Sequence, residues 1–277
     1  MRTFIKRHSL VIGIVLMFLY TWPFDLSNSG VLPFKFPFVI YITLGWGFVF
    51  VSLFMTWLTL GKEAMKTLFK RFFIWRVNWR WYLVATLLLP ALRFAAIPVT
   101  AWLTGVPADY SHPMIRDVVP LDWPLVAMII PWILFEIFTN GEEMGWRGYV
   151  LPRLQAKYSA LTSTLILGLI WTAWHLPKFF GTVYEGRSFF WYVVFTMSSA
   201  VLYTWLYNNT RGSLLLVTLL HASGNTAGIF LPTKFAEAGG ILSNMETVFV
   251  LIAAIVVVVF AGAERLSRTE EKQIETG

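Results

Sequence analysis

Glu142 and Glu143 stand side by side in Gly141-Glu142-Glu143-Met144-Gly145-Trp146-Arg147-Gly148, at the close of a long apolar stretch. On a helix turning about 100° per residue, Glu143 and Arg147 are i,i+4 neighbours with the acid on the N-terminal side, the favourable order for an ion pair. Glu142 points about 100° away, so one carboxylate meets Arg147 while the other is free to face something else. Gly141, Gly145 and Gly148 share a further face, where small residues let another helix backbone approach. Downstream, Trp171-Thr172-Ala173-Trp174-His175-Leu176-Pro177 sets a histidine deep in an apolar run. His221-Ala222-Ser223-Gly224-Asn225 places His221 and Asn225 at i,i+4, with Thr218 and Gly228 extending the same polar or small face.

Peptide hydrolysis needs this inventory: a base to take a proton from water, donors for the oxyanion, and an acid for the leaving amine. Glu142 or His175 supplies the base, and His221 with the Asn225 amide supplies donors. No serine or aspartate pair lies in a comparable setting and the chain has no cysteine, which argues against a covalent nucleophile or an aspartyl dyad. Glu142, His175 and His221 could also hold zinc, since catalytic zinc commonly takes three such ligands. Spacing favours the metal-free reading, because the paired-histidine helical motif of many zinc proteases is absent and Asn225 beside a neutral His221 suits an oxyanion better than a zinc shell. No cofactor is therefore expected. Taken singly, the acidic pair also fits a solvated helix end, and a lone intramembrane histidine commonly serves helix-to-helix hydrogen bonding.

The elements that carry these residues are membrane helices. Hydrophobic residues make up 57% of the 277 positions and charged residues 13%, about half the charged share of a soluble domain. Eight apolar stretches bounded by charges or turn residues appear, at 9–22, 37–60, 81–103, 123–150, 161–180, 188–207, 213–231 and 246–262. The expected fold is all-α, a single membrane domain over 1–277 with about eight transmembrane helices, motif-bearing core helices over 123–231 and a polar cytoplasmic tail over 264–277. The first stretch is short and follows Arg2, Lys6 and Arg7, but no small-residue cleavage site follows it, so it reads as a retained helix.

With the N-terminus inside, sixteen of the 22 Lys and Arg residues fall on the cytoplasmic face and five on the other, which places both termini in the cytoplasm. The same asymmetry accounts for the net charge of +7, with anionic lipid rather than nucleic acid as the counter-charge. Between Lys62 and Arg80, basic and bulky aromatic residues alternate, as suits a helix lying in the headgroup layer. Ionisable residues inside spans are functional candidates because an unpaired charge there is expensive. Of these, Arg93 has Glu136 as its nearest unclaimed acid, and the alternative is that it snorkels or lines a wet cleft.

The motifs resemble those of the CPBP family of intramembrane proteases, also called the Abi or CAAX type II prenyl endopeptidase family. Its signatures EExxxR, FxxxH and HxxxN or HxxxD match Glu142 to Arg147, Trp171 to His175 and His221 to Asn225, in order, over roughly Trp123 to Leu231. Trp171 stands where the pattern has Phe, a departure expected mainly to adjust pocket volume. The resemblance implies an eight-helix bundle opening to cytoplasm and membrane, Glu142 with His175 activating water, His221 with Asn225 as oxyanion donors, and Glu143 with Arg147 as support. It implies a peptide or protein substrate, lipidated or membrane-bound, such as a CAAX tail or a leader-bearing peptide. Two alternatives remain: a catalytically quiet bacteriocin self-immunity or scaffold protein of the same fold, and an ion transporter using Glu136, Glu142 and the histidines. Straight upright helices would leave His175 far from Glu142, so the resemblance also requires tilt or a break at Asn140-Gly141.

Overall fold

The computed structural model of the chain describes residues 2–37, 40, 43–111, 113–119, 123–181, 184, 186–231 and 239–268. Parts of two sequence expectations, the start of the second span and the tail beyond 268, lie outside the described residues, as do Lys234 and Lys272. The helices are α1 (Arg2–Arg7), α2 (Ser9–Asn28), α3 (Leu44–Leu60), α4 (Lys62–Lys70), α5 (Trp79–Thr104), α6 (Ile115–Val118), α7 (Leu125–Thr139), α8 (Leu151–Gln155), α9 (Ala160–Trp174), α10 (Phe189–Asn209), α11 (Leu214–Ile229) and α12 (Gly239–Ala261). A π-helical segment, Met144–Val150, runs into α8.

The distribution of side chains is that of a membrane protein. Trp102, Val126 and Val259 face outward with more than 70% of their surface exposed, while Glu143 and Arg147 are wholly enclosed. Hydroxyls join helices in the interior, where hydrocarbon gives no water to satisfy them. Thr164 and Thr204 bond at 2.9 Å and Thr172 and Thr196 at 2.8 Å, tying α9 to α10, and Ser223 donates to the Ala85 carbonyl of α5 at 2.8 Å.

Among the described residues four helices, α2, α5, α10 and α12, are each long and apolar enough to cross a membrane, and a fifth is added if the bent pair of α7 with Met144–Gln155 is one span. The chain is thus an integral membrane protein, but helix length does not carry the expected count of eight. Helices α3, α9 and α11 are apolar yet shorter, with 17, 15 and 16 residues. At about 1.5 Å per residue, fifteen residues cover about 22 Å of a hydrocarbon core about 30 Å thick. For α9 the reason is local: the apolar run continues to Phe180, but Pro177 ends regular helix, and the chain turns into a 3₁₀ segment at Leu176–Phe179. Conversely, α2 runs on through Pro23 to Asn28 and is longer than its apolar run. The tail is not frayed from its start either, since Leu266 is buried and Asn208 and Asn209 donate to the Arg265 and Leu266 carbonyls at 2.8 and 2.9 Å.

The fourth apolar stretch breaks after Thr139. Asn140 is extended, its side-chain oxygen accepts the Glu142 backbone N–H at 3.1 Å, and the helix resumes at an angle of 49°. Glycine makes room for the break. A Cβ on Gly45 of α3 would sit 1.9 Å from the Thr139 carbonyl oxygen, and one on Gly141 would sit 2.2 Å from that of Gly45. Gly145 likewise admits Phe48 of α3, whereas Gly148 faces Leu68 of α4 and Leu214 of α11, so the anticipated small-residue face serves several neighbours rather than one.

Because two backbones touch there, Gly45→Ala and Gly141→Ala should lower stability by more than the roughly 1–3 kcal/mol typical of overpacking. Gly148→Ala meets only flexible side-chain ends at 3.0–3.3 Å and should cost less. Thermal unfolding in one detergent ranks the three; equal losses would mean that the α3 contact is not the tight one.

Candidate active site

The turn just before the π segment sends the two glutamates to different partners. Glu143 is wholly buried, and Arg147 Nη1 donates to both of its oxygens at 3.0 Å, the i,i+4 pair read from spacing. His221 Nδ1 bonds Glu143 Oε1 at 2.9 Å, a contact that spacing along one helix gave no way to foresee. The Arg147 guanidinium lies over the rings of Trp171 and Tyr203, 4.7 and 4.3 Å from their centroids, so aromatic faces supplement the carboxylate.

Glu142 is half-buried, and its Oε2 accepts from the indole N–H groups of Trp146 at 3.3 Å and Trp171 at 3.1 Å. The substitution of Trp for the pattern's Phe therefore does more than adjust volume, because a phenyl ring has no N–H to offer. Trp171 touches three members of the group: its N–H holds Glu142, its ring covers Arg147, and its carbonyl bonds His175 Nδ1 at 2.9 Å. The signal available in sequence was the indole itself, the one aromatic side chain here that both packs and donates.

A carbonyl can only accept, so His175 carries a proton on Nδ1, and in its neutral form Nε2 is an acceptor. The same holds for His221, whose Nδ1 faces a carboxylate. A neutral His221 cannot then donate through Nε2 to an oxyanion; as an imidazolium balanced by Glu143, it can. An oxyanion-donor role for His221 therefore calls for the imidazolium rather than the neutral imidazole expected from sequence.

His175 and His221 are both buried and line one cavity of about 280 Å³ together with Trp171, Tyr203, Asn225 and Arg93. Glu142 and Glu143 stand behind its wall, in contact with lining residues Trp171 and His221. Asn225 is exposed and donates through Nδ2 to Glu136 Oε2 at 2.9 Å. Glu136 is thus not the partner of Arg93. Arg93 pairs instead with Glu246 of α12, Nε and Nη2 each 2.8 Å from Oε1, and donates to the Gly224 carbonyl at 3.0 Å. A Cβ on Gly228 would lie 2.4 Å from Arg93 Nη1, so that glycine admits the guanidinium. Proximity in sequence to the span edge hid Glu246, whereas its helix packs directly against α5. Among the described residues no three His, Cys, Asp or Glu side chains converge as a metal-holding group.

A family model described as type II CAAX prenyl endopeptidase Rce1-like matches residues 119–227, a span that holds all seven residues of the three motifs. CAAX prenyl protease 2 of Methanococcus maripaludis is 28% identical over 130 residues, 42% of this chain and 44% of that protein. Lysostaphin resistance protein A of Staphylococcus haemolyticus is 30% identical over 135 residues, 48% of this chain and 34% of that protein. The chain spans less than half the length of these curated relatives. Arg93 and Glu246 both fall outside the family match.

The geometry separates the glutamates by the consequence of losing each charge. Glu143→Gln leaves Arg147 enclosed without a counter-charge and should cost about 3–5 kcal/mol, as breaking a buried pair does. Glu142→Gln keeps an oxygen for both indoles and should stay within about 1 kcal/mol of wild type. Thermal or chemical unfolding of the two purified variants gives the order, and the reverse order would refute it.

Proposed function

We propose that this chain, a protein of the CPBP family by its motifs and by the matches just described, is an intramembrane endopeptidase that cleaves peptide bonds near the membrane with water. The observation that carries the reading is the cavity holding His175 and His221, each fixed through Nδ1 by an acceptor, the Trp171 carbonyl for one and the Glu143 carboxylate for the other. Glu142 with His175 takes the proton from water and later returns it to the leaving amine. As water adds to the carbonyl, the oxyanion is met by the His221 imidazolium and by the Asn225 amide. Asn225 has two N–H groups and Glu136 takes only one, which leaves a donor for this purpose. Glu143 and Arg147 hold His221 in charge and orientation.

The substrate class that fits is a peptide or protein at the bilayer, with a lipidated CAAX-type tail as one candidate and a leader peptide as another. The reaction runs without bound metal. Eight membrane crossings, three of them by the short helices α3, α9 and α11, and both termini in the cytoplasm complete the proposed topology. A second reading, a non-catalytic resistance or immunity protein, draws on the relative named for lysostaphin resistance.

Peptide profiling of the purified protein in liposomes tests the main reading. Glu142→Gln should lower turnover by about 10²–10⁴-fold, the usual worth of a general base, while exhaustive chelation leaves wild-type turnover unchanged. Turnover equal to wild type in the folded variant would remove Glu142 from the mechanism, and zinc-restorable loss on chelation would make the site a metal centre. A resistance phenotype that survives Glu142→Gln would favour the second reading.

Orientation has its own check. The chain has no cysteine, so Lys157→Cys is a unique label, and it should react with an impermeant maleimide only after the cytoplasmic side is opened. Labelling in intact cells would invert the topology.

A further inference from the structure

Outside the candidate site, two guanidiniums are packed against the bundle with no carboxylate of the described residues beside them. Arg71, in the 3₁₀ turn Arg71–Phe73 that follows α4, is 6% exposed; its Nη1 donates to the Tyr207 hydroxyl, and its Nε is buried with no hydrogen-bond partner. Arg153 of α8 lies 3.7 Å over the Tyr149 ring and gives Nη1 to the Tyr149 carbonyl at 2.8 Å, while its Nη2 is also buried and unpartnered. Arg71 is held to Tyr207, and α8 is held to the adjoining Asn208 by Gln155 Nε2 at 3.4 Å, so the two cations come to the same end of α10, where they repel. Among the described residues, the acids in ion pairs go elsewhere: Glu63 to Lys66, Glu143 to Arg147 and His221, Glu246 to Arg93, and Asp25 to Lys178.

Two like charges enclosed together, each with an orphan N–H, call for an anion, because burying an uncompensated charge costs several kcal/mol and an unmade hydrogen bond adds to it. A tyrosine hydroxyl and ring faces offset only part of this. The surroundings indicate which anion is at hand. Arg71 lies in a stretch whose Phe69, Phe73, Trp75 and Trp79 are all exposed, the aromatic and basic mixture of a segment seated at headgroup level. Arg153 is only half-buried, so the corner is open on its side. Guanidinium forks match the oxygens of a phosphate better than any other common anion at that depth.

We propose that Arg71 and Arg153 form a phosphate-binding site at the junction of the α4 turn, α8 and the Tyr207 end of α10, filled by an anionic phospholipid headgroup or by free phosphate. A bound headgroup would tie the basic segment to the π and α8 segment that follows the glutamates. It would make folding of that region depend on lipid.

The test uses the full chain in nanodiscs of phosphatidylcholine alone or mixed with phosphatidylglycerol. Anionic lipid should raise the midpoint of thermal unfolding by about 2–4 °C, the shift that about tenfold-scale stabilisation produces in a protein of this size. Arg71→Met and Arg153→Met should abolish the rise without lowering stability in phosphatidylcholine, since each removes an unpaired charge and keeps volume. Lys66→Gln, an exposed cation on the same stretch, should retain it. Inorganic phosphate added to the phosphatidylcholine discs separates the sources: a rise there assigns free phosphate, and a rise with phosphatidylglycerol alone assigns the headgroup. No rise with either, or an undiminished rise in both arginine variants, would overturn the site. Should a variant fail to fold, native mass spectrometry of wild type from the mixed discs decides, with a retained phosphatidylglycerol in favour and none against.

Discussion

A guanidinium sealed inside a membrane bundle has to be neutralised where it stands, and the arrangement around Arg147 follows from that demand. Its side chain has no exposed surface, so water cannot share the charge. Glu143 meets it from the preceding turn, and Trp171 and Tyr203 close over it with their ring faces. Once Glu143 is committed to Arg147, its Oε1 still has lone pairs to spare, and His221 takes one of them. The histidine is thereby fixed in tautomer and orientation by a charge whose first task is structural. Glu142, one residue earlier, is released from that task and sits between two indole N–H groups.

Trp171 converts these contacts into a unit. It belongs to α9, yet through its N–H, ring and carbonyl it fixes Glu142, Arg147 and His175. A site assembled from three helices in lipid has weak hydrophobic forces to align it, because hydrocarbon surrounds every face equally. Specific donors and packed rings therefore do the aligning. The Thr164–Thr204 and Thr172–Thr196 bonds hold α9 against α10 on the side away from the glutamates and keep that indole in register.

What could be read in sequence was what lies within one helix or one apolar run. The Glu143–Arg147 pair follows from a four-residue spacing, and the small-residue face followed from glycines in a row. Depth called for either tilt or a break at Asn140-Gly141 without choosing between them, and the chain breaks there. Contacts between distant segments were illegible. Arg93 and Glu246 are 153 residues apart, and nothing local distinguishes Glu246 from Glu136 as a partner. Nor could spacing reveal that Asn225 gives an N–H to Glu136, or that His221 leans on Glu143. Apolar runs also do not give helix lengths, since a run measures composition whereas Pro177 and Asn140 decide how much of it is regular helix.

The contact of Gly45 with Gly141 bears on how portable this machinery is. The matched segment begins at 119, but the bend that presents the glutamates is seated on a helix that ends at Leu60, backbone against backbone. Tyr149 reaches still further back to the Ser9 carbonyl, and Trp174 to Thr21. The motif-bearing helices are therefore not a cassette. In a chimaera of two relatives, the donor of the motifs must also donate the partner helix and its glycine, and drift at position 45 is constrained by residues almost a hundred positions away.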